Sequence, residues 1–387
     1  MDFEFSKRLN ELPPYLFLEI DKAKRKARQE GRDIIDLGVG DPDQPTPQFI
    51  IDELSKAASD PANHRYALDQ GIASLRQAIA KWYSNRFGVL LDPDSQVLPL
   101  IGSKEGIAHF PLAFINAGDS ALVPDPCYPP YKGGTIFAGG KVELLPLLEE
   151  NGFLPDLDNI PSAKLKKARV LYLNYPNNPT GAVCGVDFYR RAVDFCRRHK
   201  LILLSDLAYS EMAYDGYRPP SVFEAEGAQD VAVEFHSLSK TYNMTGWRVG
   251  WACGNKSLVQ GLAKVKSNLD SGIFSAIQVA ACAALNSDGG HIRKMCALYQ
   301  QRRDCLVEGL NALGWKVAKP KATFYIWAGI PKGTGSIDFA ARILEKADLV
   351  VTPGVGFGKS GEGYVRFALT VGVDKIKIAL ERLKKAI

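Results

Sequence analysis

Residues 170–206 read VLYLNYPNNPTGAVCGVDFYRRAVDFCRRHKLILLSD. An apolar run, Val170–Leu173, gives way to a polar, proline-rich stretch. A helical pattern follows over 186–199, and a second apolar run, Leu201–Leu204, closes the segment. Strands that alternate with helices argue for a largely parallel α/β sheet. The alternation continues on both sides. Further strand-like runs are Val97–Ile101, Ala121–Val123, Val142–Leu145, Val231–Phe235 and Val249–Ala252, with helical patterns over 71–87 and 103–115. Several runs end in polar or Pro/Gly-rich residues: Ile101-Gly-Ser-Lys, Val123-Pro-Asp-Pro, Leu173-Asn-Tyr-Pro and Leu204-Ser-Asp. Ligands of open α/β sheets gather beyond the carboxyl ends of strands, so a site is expected there.

From about Gly289 the pattern changes. A long amphipathic helix is expected over 291–313, then apolar stretches at Val317, Phe324–Trp327 and Tyr364–Leu369, and a closing helix over 374–386. This reads as a smaller α+β unit. The first ~35 residues read as an arm plus a helix that returns to it, on the same helical periodicity. Neither an internal repeat nor a low-complexity segment is present.

The chain has 387 residues, which suggests two or three domains. Its 46% hydrophobic and 24% charged content is that of an ordinary globular protein. Net charge is +5, without a concentrated basic block, so no nucleic-acid partner is expected. The basic stretch from Lys22 to Arg28 reads as the wet face of a helix. Seven cysteines occur without a Cys-x-x-Cys pair, which supports neither a disulfide framework nor a zinc ribbon. No apolar run is long enough to span a membrane, and Asp2, Glu4, Lys7 and Arg8 do not read as a signal peptide. A reducing, cytoplasmic setting is the expectation.

Two patterns point elsewhere than they first suggest. Pro353-Gly-Val-Gly-Phe-Gly-Lys-Ser360 resembles a phosphate loop, but Pro353 stands where that loop needs glycine and no helical pattern follows. The five histidines are scattered, so neither a metal site nor a Ser-His-Asp triad is indicated.

Chemistry concentrates in four segments. Asn174-Tyr-Pro-Asn-Asn-Pro-Thr-Gly181 alone signals a turn. Leu204-Ser-Asp-Leu-Ala-Tyr209 places a carboxylate and a phenol three residues apart beyond a strand, and Ser205 or Asp206 serves equally as a helix cap. His236-Ser-Leu-Ser-Lys-Thr-Tyr-Asn-Met-Thr-Gly-Trp-Arg-Val-Gly250 sets Lys240 among small polar residues, with Arg248 eight positions later. In Gly363-Tyr-Val-Arg-Phe-Ala-Leu369, Arg366 alternates within an apolar strand, either solvated or clamping an anion.

These segments occur in the order found in the fold-type-I, pyridoxal-phosphate-dependent aminotransferases of class I/II, which the sequence resembles from Asp36-Leu-Gly-Val-Gly-Asp-Pro42 to the closing helix. The resemblance implies a large domain with a mostly parallel seven-stranded sheet and a smaller α+β domain. Residues 1–45 would form the arm and part of the small domain, 46–288 the large domain and 289–387 the rest of the small one. It implies pyridoxal 5'-phosphate as cofactor. Lys240 would hold it covalently and, once freed by substrate, shuttle the proton between Cα and C4′. Asp206 would pair with the pyridine nitrogen. Asn178 and Tyr209 would hydrogen-bond the phenolic oxygen, and Tyr128, in Pro126-Cys-Tyr-Pro-Pro-Tyr131, would stack on the ring. Ser103, Lys104, Ser237 and Arg248 would take the phosphate. Tyr66 would reach it from the partner subunit, which implies a homodimer with shared sites. Arg366 would clamp the substrate α-carboxylate, approached closely by the backbone of Gly40.

Small-molecule amino and 2-oxo acids are the substrates this family implies. Residues 101–109, 125–131 and 268–274 are most similar to its LL-diaminopimelate branch, which moves an amino group from glutamate to tetrahydrodipicolinate in lysine biosynthesis. Aspartate, alanine or aromatic transamination, or carbon–sulfur β-elimination on the same scaffold, are the alternatives. A substrate with a second ammonium needs a distal carboxylate, for which Asp69 is the candidate. Asp69 equally reads as the cap of the helix starting near Gly71. Tyr15, in the arm, either closes over substrate or anchors the arm by packing.

Overall fold

A computed structural model describes residues 3–12, 16–67 and 70–386. Its centre is a seven-stranded sheet. The strands are β2 (Val97–Leu100), β3 (Ser120–Asp125), β4 (Lys141–Pro146), β5 (Ala168–Asn174), β6 (Ile202–Asp206), β7 (Ala232–Ser237) and β8 (Gly250–Gly254). They lie in the order β2-β8-β7-β6-β5-β3-β4, and β8 alone runs against the others. All seven runs expected from the sequence are therefore strands of one sheet, each within a few residues of its expected limits.

The alternation of side chains along a strand builds two cores. Leu122, Leu171, Leu173 and Leu203 face one side, packing with Tyr83, Tyr189 and Ala281. Ala121, Val123, Val170, Tyr172 and Leu204 face the other, packing with Ile107 and Phe110. Sheets covered on both faces have near-continuous apolar strands, which is why these runs were readable. Helices Ala73–Phe87, Val186–His199 and Ser275–Leu285 contribute to the first layer, and Ser103–Phe114 to the second.

The carboxyl-terminal quarter forms a separate core around a three-stranded antiparallel sheet: β9 (Tyr325–Gly329), β12 (Tyr364–Ala368) and β11 (Thr352–Pro353). Helices Gly290–Ala312 and Val373–Ala386 match expectation to within a residue. Helix Ser336–Ala347 was not anticipated, and Val317 lies in irregular chain, its N–H donating to Asn311 Oδ1. The N-terminal segment joins this unit. β1 (Ile35–Asp36) pairs in parallel with β10 (Leu349–Val350), and Ile35 and Leu37 share a core with Phe324 and Phe367. Arg302, almost fully buried, fixes the next stretch by donating to both carboxylate oxygens of Asp43 at 2.6 and 2.7 Å.

The segment Lys22 to Arg28 lies in helix Leu16–Gln29 and is largely solvent-facing, as read from the sequence. All seven cysteines are free thiols. Among the described residues no helix is long and apolar enough to cross a membrane, and no cluster of metal-ligating side chains occurs.

One buried carboxylate organises the sheet's back. Glu234 on β7 is fully buried and accepts from the hydroxyls of Tyr83 (3.0 Å), Ser205 (3.0 Å) and Ser221 (2.7 Å) and from the Val222 N–H (2.9 Å). Ser205 is thus committed to Glu234 rather than to a helix cap. Burial pushes the Glu234 carboxyl up to about 7. Glu234→Ala strands four donors, and each buried group left unpaired costs about 1–3 kcal/mol. Urea unfolding of this variant is expected to show a clear fall in midpoint, with Ser221→Ala showing a smaller one.

Candidate active site

The carboxyl ends of β5, β6 and β7 converge on a cavity of about 640 Å³. Asn174 and Asp206 end adjacent strands as register partners, and Ser237 ends the third. Lys240 follows in the one-turn helix Leu238–Thr241, whose first turn is capped by Ser237 Oγ accepting from the Ser239 N–H at 3.1 Å. The Lys240 Nζ donates to the Gly40 carbonyl at 2.8 Å. Burial pulls this amine down to about 8; Asp41 opposes the shift, while Arg366 and Arg248 reinforce it.

Asp206 is buried, and burial pushes its carboxyl up to about 6 against the Tyr131 hydroxyl and the Ala208 backbone N–H. Tyr131 Oη donates to Oδ2 at 2.7 Å. The other oxygen, Oδ1, is buried without a hydrogen bond of ordinary geometry among the described residues. Tyr209 Oη lies 3.1 Å from Tyr325 Oη, and burial raises the Tyr209 phenol well above its usual range.

Arg366 is buried, which decides between its two sequence readings in favour of a cavity-facing guanidinium. It donates to Asn178 Oδ1 (2.8 Å) and to the Gly38 carbonyl (2.7 Å), between the rings of Tyr325 and Phe357 at 4.1 and 4.6 Å from their centroids. Asn178 itself is held by its N–H donating to Asn174 Oδ1 at 2.8 Å. At Gly40 a Cβ would fall 2.0 Å from Tyr325 Oη, so the backbone passes where a side chain has no room.

Another part of the cavity lining has the chemistry of an anion cradle. Helix Ser103–Phe114 starts there with Ser103 and Lys104 in its first turn. Gly102 precedes it at φ +78°, and a Cβ there would sit 2.4 Å from Arg248 Nη2. Arg248 lies folded against the helix start, donating to the Thr245 carbonyl at 2.8 Å. Exposed backbone N–H groups and a guanidinium together suit a phosphate.

Eleven of the residues singled out in the sequence therefore line one cavity: Gly40, Ser103, Lys104, Tyr128, Asn178, Asp206, Tyr209, Ser237, Lys240, Arg248 and Arg366. Tyr66 is not among them. It is 81% exposed and lines a separate depression with Ser271 and Phe274. Tyr15 and Asp69 lie outside the described residues. Asp206 bonds Tyr131 rather than capping a helix. Tyr325, Phe357, Asp41 and Tyr131 were not anticipated. Tyr131 had one available signal, standing one helical turn after Tyr128, whereas Tyr325 is one apolar residue of a strand like its neighbours.

The sequence profile of aminotransferase class I and II matches residues 32–383. The chain belongs to the class I and II aminotransferases. It is 52% identical over 384 residues to the LL-diaminopimelate aminotransferase of Desulforudis audaxviator, covering 99% of this chain and 98% of that protein. Among solved structures, substrate-bound BacF of Bacillus subtilis superposes with a TM-score of 0.96 at 38% identity, covering 100% of this chain and 98% of that one. A single mutant of Thermus thermophilus aspartate aminotransferase superposes at 0.93 and 29% identity, both chains fully covered. The fold is that of fold-type-I aminotransferases, and the enzymes of this family depend on pyridoxal phosphate. The cavity of this aminotransferase fits that group. An unsatisfied carboxylate oxygen, a partly neutral lysine and an anion cradle share one space.

A lowered amine is neutral, hence nucleophilic, at lower pH. Acylation of Lys240 in the apoenzyme, followed by peptide mapping, is expected to rise through a midpoint near 8. Asp41→Asn removes the carboxylate that supports the ammonium, so its midpoint should fall below that of the parent enzyme.

Proposed function

We propose that this aminotransferase exchanges the amino group between glutamate/2-oxoglutarate and LL-diaminopimelate/tetrahydrodipicolinate, a step in lysine biosynthesis. The observation that carries the substrate assignment is the 52% identity to a protein of that name along 99% of the chain. Bound in the cavity, pyridoxal phosphate supplies the electron sink for the pair released from the substrate Cα–H bond. Asp206 would hold the ring nitrogen, with its unpartnered Oδ1 the oxygen available for it. Asn178 and Tyr209 reach the ring's phenolic oxygen, and Tyr128 covers its face. Ser103, Lys104, Ser237 and Arg248 hold the phosphate.

Arg366 receives the substrate α-carboxylate as a planar, two-pronged donor, with Gly40 leaving backbone room beside it. Lys240 would hold the cofactor and, once freed, would move the proton between the substrate Cα and C4′. An amine near 8 supports both directions, because appreciable fractions of each form coexist around neutral to mildly alkaline pH.

In this reading the enzyme is a cytoplasmic homodimer with shared sites, to which Tyr66 of the partner subunit contributes a phosphate contact. Residues 1–45 and 289–387 form one domain around the cofactor domain, 46–288. Asp69 would meet the distal ammonium of the substrate and Tyr15 would close over it from the arm.

The experiment is a set of half-reactions, each followed by conversion of the cofactor's visible band to the pyridoxamine form. Glutamate and LL-diaminopimelate are expected to convert it quickly, and aspartate, alanine and cystathionine slowly. Faster conversion by aspartate, or pyruvate release from cystathionine, would replace the substrate assignment. Lys240→Ala should abolish the borohydride-sensitive band. Asp69→Ala is expected to cut turnover of LL-diaminopimelate by about tenfold or more, the cost of an unmatched charge, while cofactor affinity stays unchanged.

A further inference from the structure

Behind the cavity wall, Asp206 is paired with a side chain that the reaction as described does not use, Tyr131. Asp206 and Tyr131 are both fully buried, in a region walled by Tyr172 and Tyr128. The carboxylate's two oxygens have different surroundings. Oδ2 accepts the Tyr131 hydroxyl at 2.7 Å, and Oδ1 is left without a hydrogen bond of ordinary geometry. A carboxylate in dry surroundings tends to neutralise or to rotate toward any donor. Here one donor is fixed on one side. Tyr131 belongs to helix Pro130–Phe137, and its ring is stacked on Tyr172 of β5 at 5.1 Å between centroids. Gly134, one turn further on, lies so close to Ala108 of the neighbouring helix that a Cβ would meet that carbonyl oxygen at 2.7 Å, which seats the helix tightly. The hydroxyl therefore has little freedom to leave Asp206.

We propose that Tyr131 is a positioning residue for the cofactor: its hydroxyl holds Asp206 Oδ2, which turns Oδ1 into the cavity and keeps the buried carboxylate available to the ring nitrogen. Tyr131 touches neither substrate nor cofactor in this role. It acts through Asp206, and so rests on the assignment of Asp206 to the ring nitrogen. It also explains the spacing of Tyr128 and Tyr131. One turn of chain delivers a ring to the cofactor's face and a hydroxyl to the carboxylate at its edge.

The test is spectrophotometric titration of the apoenzyme with pyridoxal phosphate, for Tyr131→Phe, Tyr172→Phe and Asp206→Asn. Loss of a hydrogen bond to a charged group predicts about tenfold weaker cofactor binding in Tyr131→Phe. Tyr172, stacked on Tyr131 but not bonded to Asp206, is the packing control, and Tyr172→Phe should bind as the parent does. In loaded Tyr131→Phe, kcat is expected to fall while KM for the amino donor holds, because Arg366 is untouched. If Asp206→Asn binds and absorbs like the parent, the ring-nitrogen assignment fails and the proposal with it. If Asp206→Asn is impaired and Tyr131→Phe is not, the proposal alone is overturned. Should Tyr131→Phe not fold, 3-fluorotyrosine at position 131 keeps the bond and gives a fluorine resonance. That resonance should move on cofactor loading, and a resonance that stays fixed would overturn the proposal.

Discussion

A buried guanidinium is the constraint around which this enzyme is arranged. Arg366 sits on β12 of the carboxyl-terminal unit, yet its donors go to Asn178, beyond β5 of the large sheet, and to Gly38, in the N-terminal segment. A charge taken out of water needs fixed partners in good geometry. Three stretches separated by well over a hundred residues must therefore meet for Arg366 to be buried at all. Its flanking rings, Tyr325 and Phe357, come from two further elements of the same unit. The contacts that hold the clamp also position the polar wall of the cavity.

The cavity's electrostatics follow from the same concentration of positive charge. Arg248 and Arg366 share the cavity with Lys240, and both act with burial to disfavour the ammonium. Such a site favours anions beside the guanidiniums and a neutral amine. Asp41 supports the ammonium, and Asp206 is itself raised toward neutrality by burial and held by the Tyr131 phenol. The modest overall charge gave no hint of this. What matters is where these charges stand: Arg366 and Asp206 are buried and Lys240 is largely so, while Arg248 keeps contact with solvent.

Much of this was legible in the sequence, for identifiable reasons. The seven strands could be read because a doubly covered sheet makes its strands apolar throughout, and Val186–His199 because its apolar face recurs at helical spacing. Strands of two residues, such as Ile35–Asp36 and Leu349–Val350, carry no periodicity and exist only through tertiary pairing. Residues with a polar type in an odd place, Lys240 and Arg366 above all, drew attention. Tyr131, Tyr325 and Phe357 did not, since an aromatic in an apolar setting is usually core. Ser205 and Asp206 illustrate the converse: both looked like caps, and each is instead committed to a partner on another element.

The pairing of Ile35 with Leu349 has a consequence for the order in which the molecule is made. β1 leaves the ribosome long before its partner, which lies more than three hundred residues further along the chain. The large sheet, whose strands all lie between residues 97 and 254, needs nothing from beyond that stretch to complete its ladder. Domains fold largely as units during synthesis. The growing chain thus carries a finished cofactor platform and a free N-terminal segment for a long interval, with Gly38 and Gly40 still unplaced. The substrate clamp closes only when β12 emerges, more than a hundred residues after the last strand of the large sheet, so binding competence arrives after the scaffold rather than with it.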